Sequence, residues 1–301
     1  MKRMLITGVS GFIGRSAVDY FKGEYEITGI DLGESAPTGL LNYYTCNMSK
    51  ERDALLQILN DSAPDVVLHC AGSANVGASV LHPMEDLDGN LHSLYALLLA
   101  FQQVQIRPEI IFFSSAAVYG NPKSLPIRET DAPSPVSPYG LHKLMCEQLC
   151  SYYNRLYGFR IRSVRVFSAY GNGLKKQILW DMYQKFTKDG HIRLFGTGDE
   201  TRDFIHVSDI MRAVSLIIDD TGGEEIFNVA NGEEISIRHL AETYAGKLGE
   251  DDSIVSFNGE GKEGDPRNWR ADITLLKSLG YQKTVEIGAG IDSYVDWVRG
   301  L

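Results

Sequence analysis

The stretch "TGVSGFIG", residues 7–14, constrains the fold more than any other. It ends "KRMLITG" (2–8), a short apolar and β-branched run that suits a buried parallel strand. It also opens "GFIGRSAVDYFKG" (11–23), which has helical periodicity. Between a strand and a helix, glycines at 8, 11 and 14 do separate things. Gly8 allows the tight turn, Gly11 lets backbone approach a pyrophosphate, and Gly14 lets the helix pack closely on the strand. The helix start at Phe12 and Ile13 turns its amides toward the phosphates. An ordinary strand-to-helix turn tolerates glycines too, so context decides. The second strand, "YEITGIDL" (25–32), ends at Asp31, 17 residues beyond Gly14. A carboxylate there accepts hydrogen bonds from an adenosine ribose and repels a 2′-phosphate. The segment reads as a dinucleotide site that selects NAD over NADP.

The rest of the chain keeps alternating. A helix over 50–61, a strand in "PDVVLHCAG" (64–72), a long helical segment over roughly 83–104 and a strand in "EIIFFSSAAVYG" (109–120) come in order. A helix from about 138 to 157 precedes "FRIRSVRVFSAYG" (159–171). Strands and helices at this spacing predict an α/β fold, a Rossmann-type doubly wound parallel sheet. Such sheets bind ligands at the carboxyl ends of their strands, and here those ends are rich in small and polar residues. Beyond about residue 170 the pattern loosens, although "EEIFNVANG" (224–232) reads as a further strand. The expected organisation is interleaved: 1–166 plus about 206–230 as the NAD-binding domain, and about 167–205 plus 231–301 as a smaller C-terminal α/β substrate-binding lobe.

Charge and cysteine content narrow the partners. With 29 basic against 39 acidic residues the net charge is −10, which argues against a nucleic-acid binder. Small anions stay open to it, since helix N-termini hold phosphates. Cys46, Cys70, Cys146 and Cys150 form no CxxC pair, and the seven histidines show no HExxH spacing. No metal is expected, and a reduced, cytoplasmic setting is the simplest reading. The N-terminus runs straight into a strand rather than a signal peptide, and "LYALLLAF" (94–101) is too short to span a bilayer.

"SPYGLHKLMCEQL" (137–149) places Tyr139 and Lys143 four apart, on one face of a helix. Most such pairs are surface accidents. This one follows a dinucleotide turn and lies 24 residues after Ser115. A free phenol titrates near ~10, too high for a base at neutral pH. The Lys143 ammonium and a cationic nicotinamide would both favour the phenolate. His142 reads as an exposed helix position beside the pair.

In that order, "TGVSGFIG", "HCAGSANVGASV", "SSAAVYG", "SPYGLHK" and "TRDFIHVSDI" resemble the extended short-chain dehydrogenase/reductase family over nearly the whole chain. More narrowly, the chain looks like the NAD-dependent nucleotide-sugar epimerases, closest to the 4-epimerase type, and their dehydratase and reductase relatives. The resemblance implies a catalytic Tyr139, Lys143 as its partner and Ser115 as the residue that orients the reacting hydroxyl. It places Ala71, Gly72 and Asn90 near the cofactor, Ser168 and Arg202 at the substrate, and Lys262 or Arg267 as a second basic contact. It also implies a homodimer built on the helices near 85–104 and 138–157, with apolar positions such as Leu97, Leu98, Leu144 and Leu149.

Dehydratases of this type carry an Asp-Glu pair just after the catalytic Ser or Thr, and here Ala116 and Ala117 stand there. Elimination lacks its acid and base, so a 4,6-dehydratase is disfavoured. An epimerase needs only the triad and a retained NAD. A nucleotide 4-ketosugar reductase using NAD(P)H is the alternative, and a dinucleotide-binding regulator without catalysis is the alternative of another class. Lys175, Lys176 and Gln177 read equally as phosphate contacts or as a solvated loop.

Overall fold

The computed structural model describes residues 1–260 and 267–301. The first half of the chain runs β1 (Lys2–Thr7), α1 (Phe12–Phe21), β2 (Tyr25–Asp31), β3 (Asn42–Thr45), α2 (Arg52–Ser62), β4 (Val66–His69), α3 (Val76–Leu81), α4 (Pro83–Leu87), α5 (Ser93–Val104), β5 (Glu109–Ser115), α6 (Pro138–Tyr157) and β6 (Arg160–Val166). Then come β7 (Ser168–Tyr170), α7 (Gln177–Asp189), β8 (Ile192–Leu194), β9 (Thr201–Arg202), β10 (Phe204–His206), α8 (Val207–Asp219), β11 (Ile226–Val229), β12 (Ile235–Ser236), α9 (Ile237–Leu248), β13 (Val255–Phe257), α10 (Thr274–Ser278) and α11 (Ile287–Arg299).

Seven strands form one sheet in the order β11-β6-β5-β4-β1-β2-β3. From β6 across to β3 every pairing is parallel. Runs such as Met4–Ile6, Val66–Leu68 and Ile110–Phe113 are buried on both faces, as strands between two helical layers must be. The chain moves from β1 outward to β3, then returns to β4 on the other side of β1. The crevice at this reversal, between the carboxyl ends of β1 and β4, is where such sheets take ligands. The doubly wound sheet expected from the alternation is therefore present.

The chain divides into two compact units. The first comprises Met1–Gly120, Ala132–Val166 and Val214–Phe227, and its core gathers Leu5, Val67, Leu97, Leu98, Phe101, Phe112 and Tyr153. The second comprises Asn121–Asp131, Phe167–Ala213 and Asn228–Leu301. Its own core is built from Met182, Ile192, Leu240, Tyr244, Ile291 and Tyr294. Among the described residues it has three two-stranded pairings, β7 with β10, β9 with β12 and β8 with β13.

Two sequence expectations change. The helix over 83–104 is broken into α4, a π-helical turn at Asp88–His92, and α5. Leu97 and Leu98 are fully buried in the core, so they are not available to an interface. The exposed apolar side chains of α5 and α6 are Tyr95, Leu99, Leu141, Met145, Tyr152 and Leu156.

Candidate functional site

The glycine turn has the geometry its spacing implies. Gly8 has φ +68, and its amide donates to the carbonyl of Ile30 at 2.8 Å, tying the turn to β2. A Cβ on Gly8 would lie 2.7 Å from the Ala71 backbone, so the loops after β1 and β4 touch here. A Cβ on Gly14 would lie 2.3 Å from the Gly8 carbonyl oxygen, which fixes the close approach of α1 to the turn. Gly11 caps α1 with extended backbone, with no side-chain cap and no acid in the first turn. The amides of Phe12, Ile13 and Gly14 are thus presented to an anion. Asp31 accepts from the Ser10 amide at 2.8 Å through one oxygen and from the Leu32 amide at 2.7 Å through the other. The Leu32-bound oxygen also accepts from the Gly33 amide at 3.3 Å, so the oxygen facing Ser10 is the one that keeps acceptor capacity for a ribose hydroxyl.

Across the reversal point, Gly72 has φ +144 and a Cβ there would meet Asn90 Oδ1 at 2.4 Å. The Asn90 amide donates to the Asp86 carbonyl at 3.0 Å, while its buried Oδ1 has no hydrogen-bond partner among the described residues. An uncapped helix start, a glycine cradle, a ribose-range carboxylate and an unsatisfied buried acceptor fit a dinucleotide.

Ser115, Tyr139 and Lys143 are brought together at the end of β5. Ser115 is the last residue of β5, and its hydroxyl accepts from the Ala117 amide at 3.2 Å, capping a 3-10 turn over Ala116–Tyr119. Ser137 caps α6 by accepting from the Gly140 amide at 3.1 Å, with Pro138 in the first turn. The Tyr139 amide donates to Ser79 Oγ of α3 at 3.1 Å. These contacts fix the start of α6 and set the Tyr139 phenol beside Ser115, whose hydroxyl favours the phenolate. Lys143, one turn on, is buried and donates to the Phe113 carbonyl at 2.8 Å, with its Nζ 5.9 Å from the Tyr139 ring centre.

Burial dominates the electrostatics. It pushes the Tyr139 phenol up to about 12, against the Ser115 hydrogen bond, with Asp86 and Cys146 adding to the rise. Burial likewise draws Lys143 below its ordinary value, opposed by Cys146, Asp86, Cys70 and Cys150. In the protein by itself the phenol is therefore held neutral.

Two buried polar pairs behind the triad escaped sequence reading. Arg165 of β6 donates to both oxygens of Glu147 at 3.0 and 2.7 Å and to the Tyr119 hydroxyl at 2.8 Å. Ser114 donates to the same carboxylate at 2.5 Å. Tyr139, Lys143 and Glu147 recur every four residues, so the available signal was an acid continuing the buried face of α6. The second pair corrects the reading of His142 as exposed: it is buried, with Nδ1 2.7 Å from Asp86 Oδ2. Nothing local could have shown this, since the partner lies 56 residues away.

In the second unit, the Ser168 amide donates to the Asp203 carbonyl at 3.0 Å within the β7–β10 pairing. Arg202 donates to the carbonyls of Thr201 at 2.8 Å and Arg267 at 3.1 Å, with its guanidinium 5.6 Å from the Trp269 ring centre. Arg202 and Arg267 are thus brought together, Arg202 buried and Arg267 exposed. Lys262 lies outside the described residues. Lys175 sits near the faces of Trp180 and Trp297, 5.8 and 6.0 Å away. Among the described residues no group of three or more His, Cys, Asp or Glu side chains could hold a metal, and no helix is long and apolar enough to cross a membrane.

A parallel sheet with a glycine turn at its reversal point and a Ser-Tyr-Lys cluster at a neighbouring strand end defines an extended short-chain dehydrogenase/reductase. The family model described as the NAD dependent epimerase/dehydratase family matches residues 4–230, and the chain belongs to that family. It is 29% identical to a putative UDP-glucose 4-epimerase of Methanocaldococcus jannaschii, over 98% of both chains. Among solved structures, the UDP-glucose 4-epimerase of Thermotoga maritima with UDP-glucose is 26% identical, with TM-score 0.90 and 99% of each chain covered. The UDP-glucose 4-epimerase of Thermus thermophilus, solved with NAD, is 25% identical, with TM-score 0.89 and the same coverage.

Proposed function

We propose that this protein interconverts nucleotide-diphosphate sugars that differ at C4, by transient oxidation to a keto-sugar and return of the hydride to the opposite face. The observation that carries this reading is the gathering of Ser115, Tyr139 and Lys143 at the end of β5, with buried Ala116 and Ala117 where elimination would need carboxyl groups. Bound NAD supplies the hydride acceptor and donor. Gly8, Gly11, Phe12, Ile13, Gly14, Asp31, Ala71, Gly72 and Asn90 would hold it, with Lys143 at its ribose. Ser115 donates to the reacting sugar hydroxyl and orients it. Tyr139 takes the hydroxyl proton as the carbon loses hydride, and gives it back when the ketone is reduced. Because burial holds the phenol near 12, positive charge beside it is what brings proton transfer into reach at neutral pH.

The similarity to UDP-glucose 4-epimerases supports a uridine diphosphate sugar as substrate. The first unit would carry NAD and the second the sugar nucleotide, through Ser168, Arg202 and Arg267. The exposed apolar side chains of α5 and α6 support a homodimer, and the four free cysteines support a reducing, cytoplasmic setting. Purified protein incubated with UDP-glucose, without added NAD or NADH, is expected to form UDP-galactose and to release NAD on denaturation. Strict dependence on added NADPH, with net consumption of it, would instead establish a ketosugar reductase.

A further inference from the structure

One buried Asp–His pair touches the Tyr139 helix without belonging to the triad. Asp86, on α4, points one carboxylate oxygen at His142 Nδ1, 2.7 Å away, and both side chains are almost wholly enclosed. Its other oxygen, Oδ1, is buried with no hydrogen-bond partner among the described residues. A buried carboxylate satisfied on one side only depends heavily on the cation it does meet. His142 lies between Tyr139 and Lys143 on α6, so the pair fastens α4 to the turn that carries both.

We propose that Asp86 and His142 are positioning residues for Tyr139, forming a charge-balancing unit that decides how readily its phenol releases a proton. This rests on the reading of Tyr139 as the acid/base group. The sign follows from Coulomb's law in a poorly screened interior. An unbalanced Asp86 carboxylate opposes the phenolate, and Asp86 is among the groups that push the phenol upward. A protonated His142 cancels that charge, whereas a neutral one leaves it standing. The effect is local to a short list of groups. Tyr139 is faced by Ser79 from α3, Asp86 from α4, Ser115 from β5, and Lys143 and Cys146 from its own helix. Of the other acids and histidines of this neighbourhood, Asp88 pairs with His92 at 2.6 Å and Glu85 with His82 at 3.7 Å, all at the exposed surface, while buried His69 lies near Lys143, bonds Thr7 Oγ1 at 2.8 Å and is held neutral by its burial and by Lys143. Glu147 is held by Arg165.

The pair also reaches toward the cofactor side. The Asp86 backbone carbonyl accepts from Asn90, whose Oδ1 faces Gly72.

The test uses the NAD-loaded protein with tyrosine labelled with carbon-13 at Cζ, the Tyr139 resonance being identified by its loss in Tyr139→Phe. Asp86→Asn is expected to lower the Tyr139 titration midpoint by about one pH unit, and His142→Gln not to lower it. Both replacements keep hydrogen-bonding side chains of similar size. Shifts of the same sign, as loosened packing would produce, or no shift in Asp86→Asn, overturn the proposal. A second measurement needs no variant. In the unaltered protein the Tyr139 resonance should show an inflection at the midpoint of His142, read from its imidazole protons, and its absence also overturns the proposal. Coupled titrations in a protein that converts no nucleotide sugar would uphold the pairing and refute the epimerase reading, so the two fail separately.

Discussion

Two helices of the first unit begin at functional positions, and their first turns are built in opposite ways. α1 opens on Gly11, with no side chain over its end. α6 opens on Ser137, whose hydroxyl takes the Gly140 amide, while Pro138 has no amide to offer and Tyr139 gives its own to Ser79. The open start leaves backbone donors for a ligand's phosphates, so almost any side chains would serve there provided the glycines remain. The closed start has no donors to spare. In the proposed reaction its side chains would do the chemistry, and the sealed backbone would keep them in place. On the proposed function, binding is thus entrusted to main chain at one helix and proton transfer to side chains at the other.

The largest expected effect comes from removing the working group of the closed start. Tyr139→Phe should lower kcat about 10³-fold, roughly 4 kcal/mol of barrier, with NAD content and fold intact. Steady-state assays alongside circular dichroism check it, and near-normal turnover would end the role assigned to the phenol. Next is damage to the open start. Gly14→Ala puts a methyl group 2.3 Å from the Gly8 carbonyl oxygen and 2.6 Å from Val9 Cα, both backbone atoms that cannot swing aside. We expect a loss of about 3 kcal/mol in urea unfolding, with retained NAD falling in parallel.

A pH experiment comes third. The Tyr139 phenol is raised from the ordinary 10.0 to about 12 in the folded protein. Its contribution to stability is complete below the unfolded value and is lost as pH climbs through the folded one, because the unfolded chain gives up the proton first. Wild type should therefore lose about 2 kcal/mol more than Tyr139→Phe across this alkaline window. Parallel slopes for the two proteins would show that the phenol is less enclosed than its surroundings imply. Smallest is Ser137→Ala, which removes one cap and should cost about 1 kcal/mol. Its effect should fall on kcat rather than on NAD affinity; the reverse result would erase the distinction between the two helix starts.

Much of this was legible because it is local. The order strand, glycines, helix and acid can be read from "TGVSGFIG" and Asp31, since each element depends on near neighbours. Tyr139 and Lys143 were found by helical spacing, and the family resemblance supplied Ser115. What stayed hidden depends on residues that meet only after folding. Asp86 finds His142 across 56 positions, and Arg165 reaches back 46 positions to Tyr119 as well as to Glu147. A polar residue on a helix reads as exposed until its partner is known, which is why His142 was misplaced. The π-helical turn at Asp88–His92 went unseen because its sequence keeps a helical rhythm through the extra residue.

The late arrival of β11 has a consequence for how such proteins are made and exchanged. The sheet's last strand, Ile226–Val229, pairs with a β6 that ended at Val166, and most of the residues in between belong to the second unit. A ribosome cannot finish the first unit before much of the second has emerged. A fragment cut after Val166 would leave β6 as a bare edge, open to pairing with another chain. Nor can a single genetic crossover graft a new second unit onto the first. New specificities would have to arise by substitution within the interleaved segments, or by several exchanges at once.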